Sequence, residues 1–294
     1  MIPPRRLLLS GGGMKIVAIV GAIKTLQAKN TLHCLKEVCG VSSGAWVAFM
    51  LACKTPIEVI ERLTLELDYG IMRNLNIDSI MGFPEVFGLD DASNFTGLLE
   101  KIFRLVLKID PAVTFATMKS DIAFRCWAID LVTTRPREFS LHKTPNVKII
   151  DAIRASCALP FYFTAFPDPI TGNLLSDGAI QGGLPIQNLS DDEKRESLCI
   201  GFSQSYPGKT VQNPQDLGEF INSVLRCTIG SSNGKILEEW NHHILRISIE
   251  YPLWNFEASR EDREMLMKSG SDAVCIWLKM HHGRPISRRH SCTL

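Results

Sequence analysis

The chain has 294 residues, 45 % of them hydrophobic and 21 % charged, enough apolar material for a large core and too little charge for a disordered chain. Its 32 Lys and Arg against 31 Asp and Glu leave a formal net charge of +1. That near-neutral balance gives no reason to expect a nucleic-acid partner, which calls for a clustered basic face.

Arg6 to Ser10 reads as a short buried strand stopped by Gly11-Gly12-Gly13. Val17, Ala18, Gly21, Ala22 and Leu26 then recur at helical spacing between Lys15 and Lys29. Leu35 to Cys39 is a second apolar strand, and Ser43 to Cys53 an apolar helix. This alternation predicts parallel strands with helices on both faces, a three-layer α/β/α sandwich around a mostly parallel sheet. Residues 56–120 read as helix and loop, and Ile122 to Leu141 as a hairpin-like pair turning at Thr133-Thr134-Arg135-Pro136. Val147 to Ser156 is predicted helical, followed by short strands near 162–166 and 173–176 and a core strand from Leu198 to Gln204. A helix at 214–229, a strand at 244–249 and a long helix at about 259–280 complete a single domain over residues 1–282. Residues 283–294 read as a basic tail.

The nine cysteines are odd in number and form no Cys-x-x-Cys, which points to reduced thiols and not to a disulfide framework or a zinc site. The opening Met1-Ile2-Pro3-Pro4-Arg5-Arg6 is too short for the charged region of a signal peptide, and no apolar run reaches the ~18 residues that span a bilayer. The expectation is a cytoplasmic protein, with any membrane contact peripheral, and with no metal or cofactor.

Gly40-Val41-Ser42-Ser43-Gly44 follows a predicted strand and opens a predicted helix. A nucleophile elbow needs that context: the serine takes a strained backbone conformation, and positions two before and two after come too close for a Cβ. An ordinary strand-to-helix turn with an inert serine fits the pentapeptide equally well. Gly11-Gly12-Gly13-Met14-Lys15 also joins a strand to a helix N-terminus, where converging N–H groups suit an anion such as a tetrahedral oxyanion. A nucleotide P-loop lacks its Gly-Lys-Ser/Thr here. A dinucleotide fingerprint fails at Ile16 and wants an acid near the second strand's end, where Glu37 comes too early, ahead of Val38 and Cys39, and the serine turn follows.

Ser176-Asp177-Gly178-Ala179 lies between short strands, where Asp-Gly is first a hairpin-turn signal. To act as a base at neutral pH, Asp177 needs burial away from cations to raise its pKa from ~3.9. Ser42, Asp177 and His242 or His243 reproduce the chain order of an α/β-hydrolase triad. Against it, both histidines immediately precede an apolar strand, and an elbow on the second strand leaves no room for that fold's earlier strands.

With these pieces placed, the chain resembles the patatin-like phospholipases. That family carries a Gly-rich oxyanion loop, then G-x-S-x-G, and much later D-G-[GA], on an α/β/α sandwich. The matches are Gly11 to Lys15, Gly40 to Gly44, and Asp177-Gly178-Ala179. Ile153-Arg154-Ala155-Ser156-Cys157-Ala158-Leu159-Pro160-Phe161-Tyr162-Phe163 resembles the family's R-A-S-x-A-x-P-x-x-F segment, and Gly182 to Pro185 the stretch after its aspartate. The resemblance covers roughly residues 6–205. It implies a Ser42–Asp177 dyad without histidine or metal, an acyl-enzyme intermediate, and an oxyanion hole from Gly11, Gly12, Gly13 and Met14. The substrate it implies is a phospholipid or related acyl lipid. One departure stands out, because the family's loop ends in glycine and this one has Ile16. That residue is the one feature favouring a non-catalytic lipid-binding protein on the same fold.

Leu98, Leu99, Ile102, Phe103, Leu105, Val106 and Ile109 outline an apolar helix face. A core-facing helix explains it most simply. A lid or interfacial helix, working with the loop of Met81, Gly82, Phe83, Pro84 and Phe87, is the alternative. Arg284, Arg288 and Arg289 in the tail would suit anionic headgroups.

Overall fold

A computed structural model of the chain describes residues 3–74, 81–203, 223–224, 227, 234–251 and 257–281. Strand β1 (Arg6–Leu9) leads through a 3-10 turn at Gly13–Lys15 into helix α1 (Ile16–Ala28), and β2 (Glu37–Val41) runs almost directly into α2 (Ser43–Ala52). Helices α3 (Ile57–Glu66) and α4 (Phe83–Val86) precede β3 (Gly88–Asp90) and α5 (Ser93–Lys101), which continues as a π-helical stretch over Ile102–Leu107. Next come the hairpin of β4 (Ala123–Asp130) and β5 (Arg135–Ser140), helix α6 (Ile149–Ser156), and the short strands β6 (Phe161–Phe163), β7 (Phe166–Pro167) and β8 (Leu174–Ser176). A 3-10 turn (Pro185–Asn188), α7 (Asp191–Arg195), β9 (Ser197–Phe202), α8 (Gly234–Glu239), β10 (Ile244–Ile247) and α9 (Arg260–His281) complete the described chain.

The sheet runs β10-β9-β1-β2-β4-β8-β7, with β5 on the other edge of β4. Strands β10, β9, β1, β2 and β4 are parallel. Among the described strands, β5, β8 and β7 join in antiparallel fashion. Parallel strands buried on both faces read as unbroken apolar runs, which explains Leu7-Leu8-Leu9. Leu7 and Leu9 enter the larger core with Val38, Ile200 and Leu245, beneath residues of α1, α2, α6 and α9. Leu8 faces the other way, into a smaller cluster with Cys39, Val41, Trp127, Leu184 and Ile186. The period of two along each strand therefore divides the molecule into the expected layers.

Some boundaries moved. The second strand begins at Glu37, two residues later than expected, where its ladder with Arg6 of β1 starts. The apolar 98–109 segment faces the core: Leu98, Leu99, Ile102 and Phe103 are buried, and Phe103 stacks on Phe49 at 4.8 Å between centroids. Of that segment, Leu105 is strongly exposed. The helix expected at 214–229 falls largely outside the described residues, and the tail at 283–294 wholly so. The eight described cysteines are all free, and Cys39, Cys126, Cys157 and Cys199 are buried. Among the described residues no helix is long and apolar enough to cross a membrane.

Candidate active site

Ser42 sits where β2 gives way to α2, at φ 53° and ψ −136°. A side chain keeps such a conformation only where its surroundings impose it. Two glycines make the turn possible. A Cβ on Gly40 would lie 2.4 Å from the Gly44 carbonyl oxygen, and one on Gly44 would lie 2.5 Å from the carbonyl oxygens of Leu9 and Ser10. The start of α2 thus packs directly on the end of β1, and its N-terminal N–H groups and positive dipole end open at the serine.

The glycine loop comes to the same place from β1. A Cβ on Gly11 would lie 2.8 Å from Ser42 Cβ and 2.9 Å from Ala179 Cβ, so only glycine lets the loop touch both neighbours. Gly12 lies flat against the Phe202 ring at the end of β9. Gly13 takes φ 53° to start the 3-10 turn. Among the described residues, the N–H groups of Gly11, Gly12 and Gly13 donate to no protein acceptor. Met14 is buried beneath the turn, and Lys15 Nζ stands 4.6 Å above the centre of the Phe202 ring. Ile16 causes no distortion: it begins α1 at φ −54° and ψ −29° and is buried in the main core. Ordinary helical backbone there needs no glycine.

Asp177 follows β8, whose Ser176 pairs with Ile129 of β4. The expected Asp-Gly hairpin does not form, since the chain after Asp177 leads into the 3-10 turn at Pro185 instead of a partner strand. Gly178 is needed for close approach, because a Cβ there would meet the Trp127 carbonyl oxygen at 2.1 Å. The Asp177 side chain is only 1 % exposed. Ser42 Oγ donates to its Oδ2 at 2.6 Å, and the Ala179 N–H donates to its Oδ1 at 2.7 Å. Burial pushes the carboxyl up from 3.8 to about 6, against the opposing pull of those two hydrogen bonds.

The end of α6 closes the site from behind. Ser156 Oγ accepts from the Ser42 N–H at 2.9 Å, and the Ala158 carbonyl accepts from the Asp177 N–H at 2.8 Å. Sequence reasoning assigned no part to Ser156 or to Phe202. The first lay inside the motif segment 153–163; nothing in the sequence marked the second.

The two histidines weighed for a triad lie elsewhere. His242 and His243 form a turn before β10, and the buried His243 places Nδ1 3.0 Å from the Ser197 carbonyl oxygen. Ser197 pairs with Arg6 at the start of the parallel strands, whereas Ser42 follows their far end. The rise along those strands separates the two sites by roughly 15 Å. Glu37, weighed above as the acid of a dinucleotide fingerprint, also lies at the start of the parallel strands, opposite the Ser42 end, with Oε1 2.7 Å from Arg125 and Oε2 against Arg6.

The patatin-like phospholipase family model matches residues 7–190. Protein R571 of Acanthamoeba polyphaga mimivirus is 31 % identical over 285 residues, 92 % of each chain. A probable lipid hydrolase, 463L of invertebrate iridescent virus 6, is 27 % identical over 187 residues, 62 % of each chain. Among solved structures, VipD from Legionella pneumophila shares the fold at TM-score 0.58 and 17 % identity, covering 95 % of this chain and 67 % of that one. ExoU of Pseudomonas aeruginosa, in its complex with SpcU, does so at TM-score 0.53 and 17 % identity, covering 95 % and 52 %. The family match spans more than half of the chain and contains the glycine loop, Ser42 and Asp177: the protein belongs to the patatin-like phospholipase family, a family of lipid acyl hydrolases.

Proposed function

We propose that this protein hydrolyses carboxylic esters of phospholipids or related acyl lipids through a Ser42–Asp177 dyad and an acyl-enzyme intermediate. The 2.6 Å hydrogen bond from Ser42 Oγ to the buried Asp177 carboxylate is the observation that carries it. A base with its pKa near 6 is mostly ionised at neutral pH and still basic enough to take a proton in the transition state. No histidine is needed for that transfer.

Ser42 Oγ attacks the ester carbonyl carbon as its proton passes to Asp177 Oδ2. The tetrahedral oxyanion lies against the N–H groups of the Gly11–Met14 loop, and each donor of this kind contributes roughly 100- to 1000-fold. Collapse expels the alcohol, which takes the proton back from Asp177. A water molecule then gives its proton to Asp177 and attacks the acyl-serine, releasing the fatty acid and regenerating Ser42. Every proton moved in the two half-reactions passes through the one carboxylate.

The substrate reaches the site from a peripheral membrane surface. At the serine end of the sheet the molecule shows apolar tips: Phe87 and Phe161 about the β3–β6 pair, and Leu131 and Val132 at the tip of the β4–β5 hairpin. Pairing of Gly88 with Phe161 brings Phe87 and Phe161 together, three residues beyond the Ala158 that holds Asp177. Val132 is 69 % exposed and Phe87 59 %, suited to burial among lipid headgroups. The basic tail would add charge attraction to anionic lipid. Fatty-acid release from phospholipid vesicles tests the reading. Ser42→Ala and Asp177→Asn should each abolish it with the fold intact, and full release by either variant would refute the dyad.

A further inference from the structure

We infer that Ser156 is a positioning residue for the nucleophile, a hydroxyl link that holds the strained Ser42 backbone against strand β4. The inference rests on Ser42 being the nucleophile. Ser156 is the last residue of α6 and is fully buried. Its Oγ lies 2.9 Å from the Ser42 nitrogen and 2.6 Å from the Trp127 carbonyl oxygen. An amide N–H can only donate and a carbonyl can only accept, so the hydroxyl proton is fixed on the Trp127 side.

The place of this link is specific. Val41 stands opposite Trp127 at the last register position of β2 and β4. The Ser42 N–H is the next donor, just past the ladder, where the backbone turns into the left-handed region and leaves the strand. The Ser156 hydroxyl fills the gap, so that the chain Ser42 N–H to Ser156 Oγ–H to Trp127 carbonyl extends the sheet's hydrogen bonding by one side chain. Strained backbone persists only where several contacts over-determine it, and this is the contact made by the Ser42 amide itself.

The same segment holds the other half of the dyad. The Ser156 carbonyl accepts from the Gly178 N–H at 3.1 Å, and the Ala158 carbonyl accepts from the Asp177 N–H at 2.8 Å and from Ser176 Oγ at 3.0 Å. The end of α6 therefore fixes Ser42 and Asp177 relative to each other although 135 residues separate them. A second consequence concerns the oxyanion. With its N–H committed to Ser156, Ser42 does not supply a donor from its own amide, so the anion rests on the N–H groups of the glycine loop and of the start of α2.

The test is the rate at which a fluorophosphonate probe labels Ser42, together with kcat and KM on a soluble short-chain ester. Ser156→Ala should label and turn over roughly 10- to 100-fold more slowly at nearly unchanged KM, the size expected of a nucleophile displaced without loss of the pocket. Labelling should still go to completion. Ser156→Cys keeps a weak donor and acceptor and should fall between Ala and wild type, which also covers the case in which the Ala variant does not fold. Wild-type labelling rates in the folded variants would overturn the inference. So would a loss expressed in KM alone. Full labelling of a Ser42→Ala control would instead strike at the nucleophile assignment beneath it.

Discussion

The Ser42 hydroxyl donates to Asp177 Oδ2 at 2.6 Å, and the carboxylate's other oxygen is taken by the Ala179 N–H. Among the described residues no cation contributes to the state of this carboxylate; burial raises its pKa and two hydrogen bonds restrain the rise. The pair is therefore a hydrogen-bonded hydroxyl and buried carboxylate, not an ion pair, the arrangement that the proposed dyad needs.

The pH–rate profile should report Asp177 directly. The base must be ionised to accept the serine proton, and its pKa stands at about 6. Log kcat/KM on a soluble ester should rise with unit slope below pH 6 and level off above it, with no histidine needed for the acid limb. A limb near 4 would show that burial does not tune the aspartate.

Asp177→Asn should stabilise the protein while inactivating it. The folded-state pKa lies above the unfolded value of 3.8, so the folded protein binds more protons between pH 3.8 and about 6. The residue's contribution to stability falls as pH rises through that window and stays low above it, a cost of roughly 3 kcal/mol at neutral pH. Asparagine keeps an oxygen for the Ala179 N–H without the buried charge. Thermal unfolding at pH 7.5 should show Tm higher by several degrees, and the difference should vanish toward pH 4. An unchanged or lower Tm at pH 7.5 would contradict this.

Gly11→Ala tests the loop. The added methyl would fall 2.8 Å from Ser42 Cβ and 2.9 Å from Ala179 Cβ, so the loop must retreat from the serine. Losing one oxyanion donor costs about 100-fold or more, and kcat should fall by at least that much. Ile16→Gly, by contrast, should leave kcat within a few-fold and lower stability by about 3 to 5 kcal/mol, because the side chain belongs to the core.

Replacing Phe87 and Val132 together by serine should separate membrane from chemistry. Both side chains are exposed at the serine end of the sheet and neither belongs to the dyad. Hydrolysis of vesicle phospholipid and sedimentation with vesicles should drop several-fold, with short-chain ester turnover unchanged. Equal losses on both substrates would place these residues in the pocket instead.

The first fifty residues were legible because each signal is local: an apolar strand, glycines, helical periodicity, and a Gly-Ser-Gly turn. The tertiary contacts that turn them into a site were not. Taken by its local sequence Asp177 read as a hairpin turn, and only the family resemblance made it a base; β8 places it beside β4, and only the geometry shows Gly178 pressed on the Trp127 carbonyl. The parallel pair β3 and β6, three residues each, joins segments more than seventy residues apart and has no periodicity to detect. The π-helical turn at Ile102–Leu107 keeps a helical pattern while changing which residues face out, so Leu105 escaped the core-facing stripe. Helix α7 carried a readable signature, the capping box of Ser190 and Glu193, that the periodicity reading passed over.

Mass spectrometry of the protein after reaction with a fluorophosphonate tests the central claim most directly. The account predicts one adduct per chain, on the peptide containing Ser42, formed in step with loss of lipid hydrolysis and absent from Ser42→Ala. An adduct on another residue, or hydrolysis that persists after Ser42 is fully modified, would contradict it.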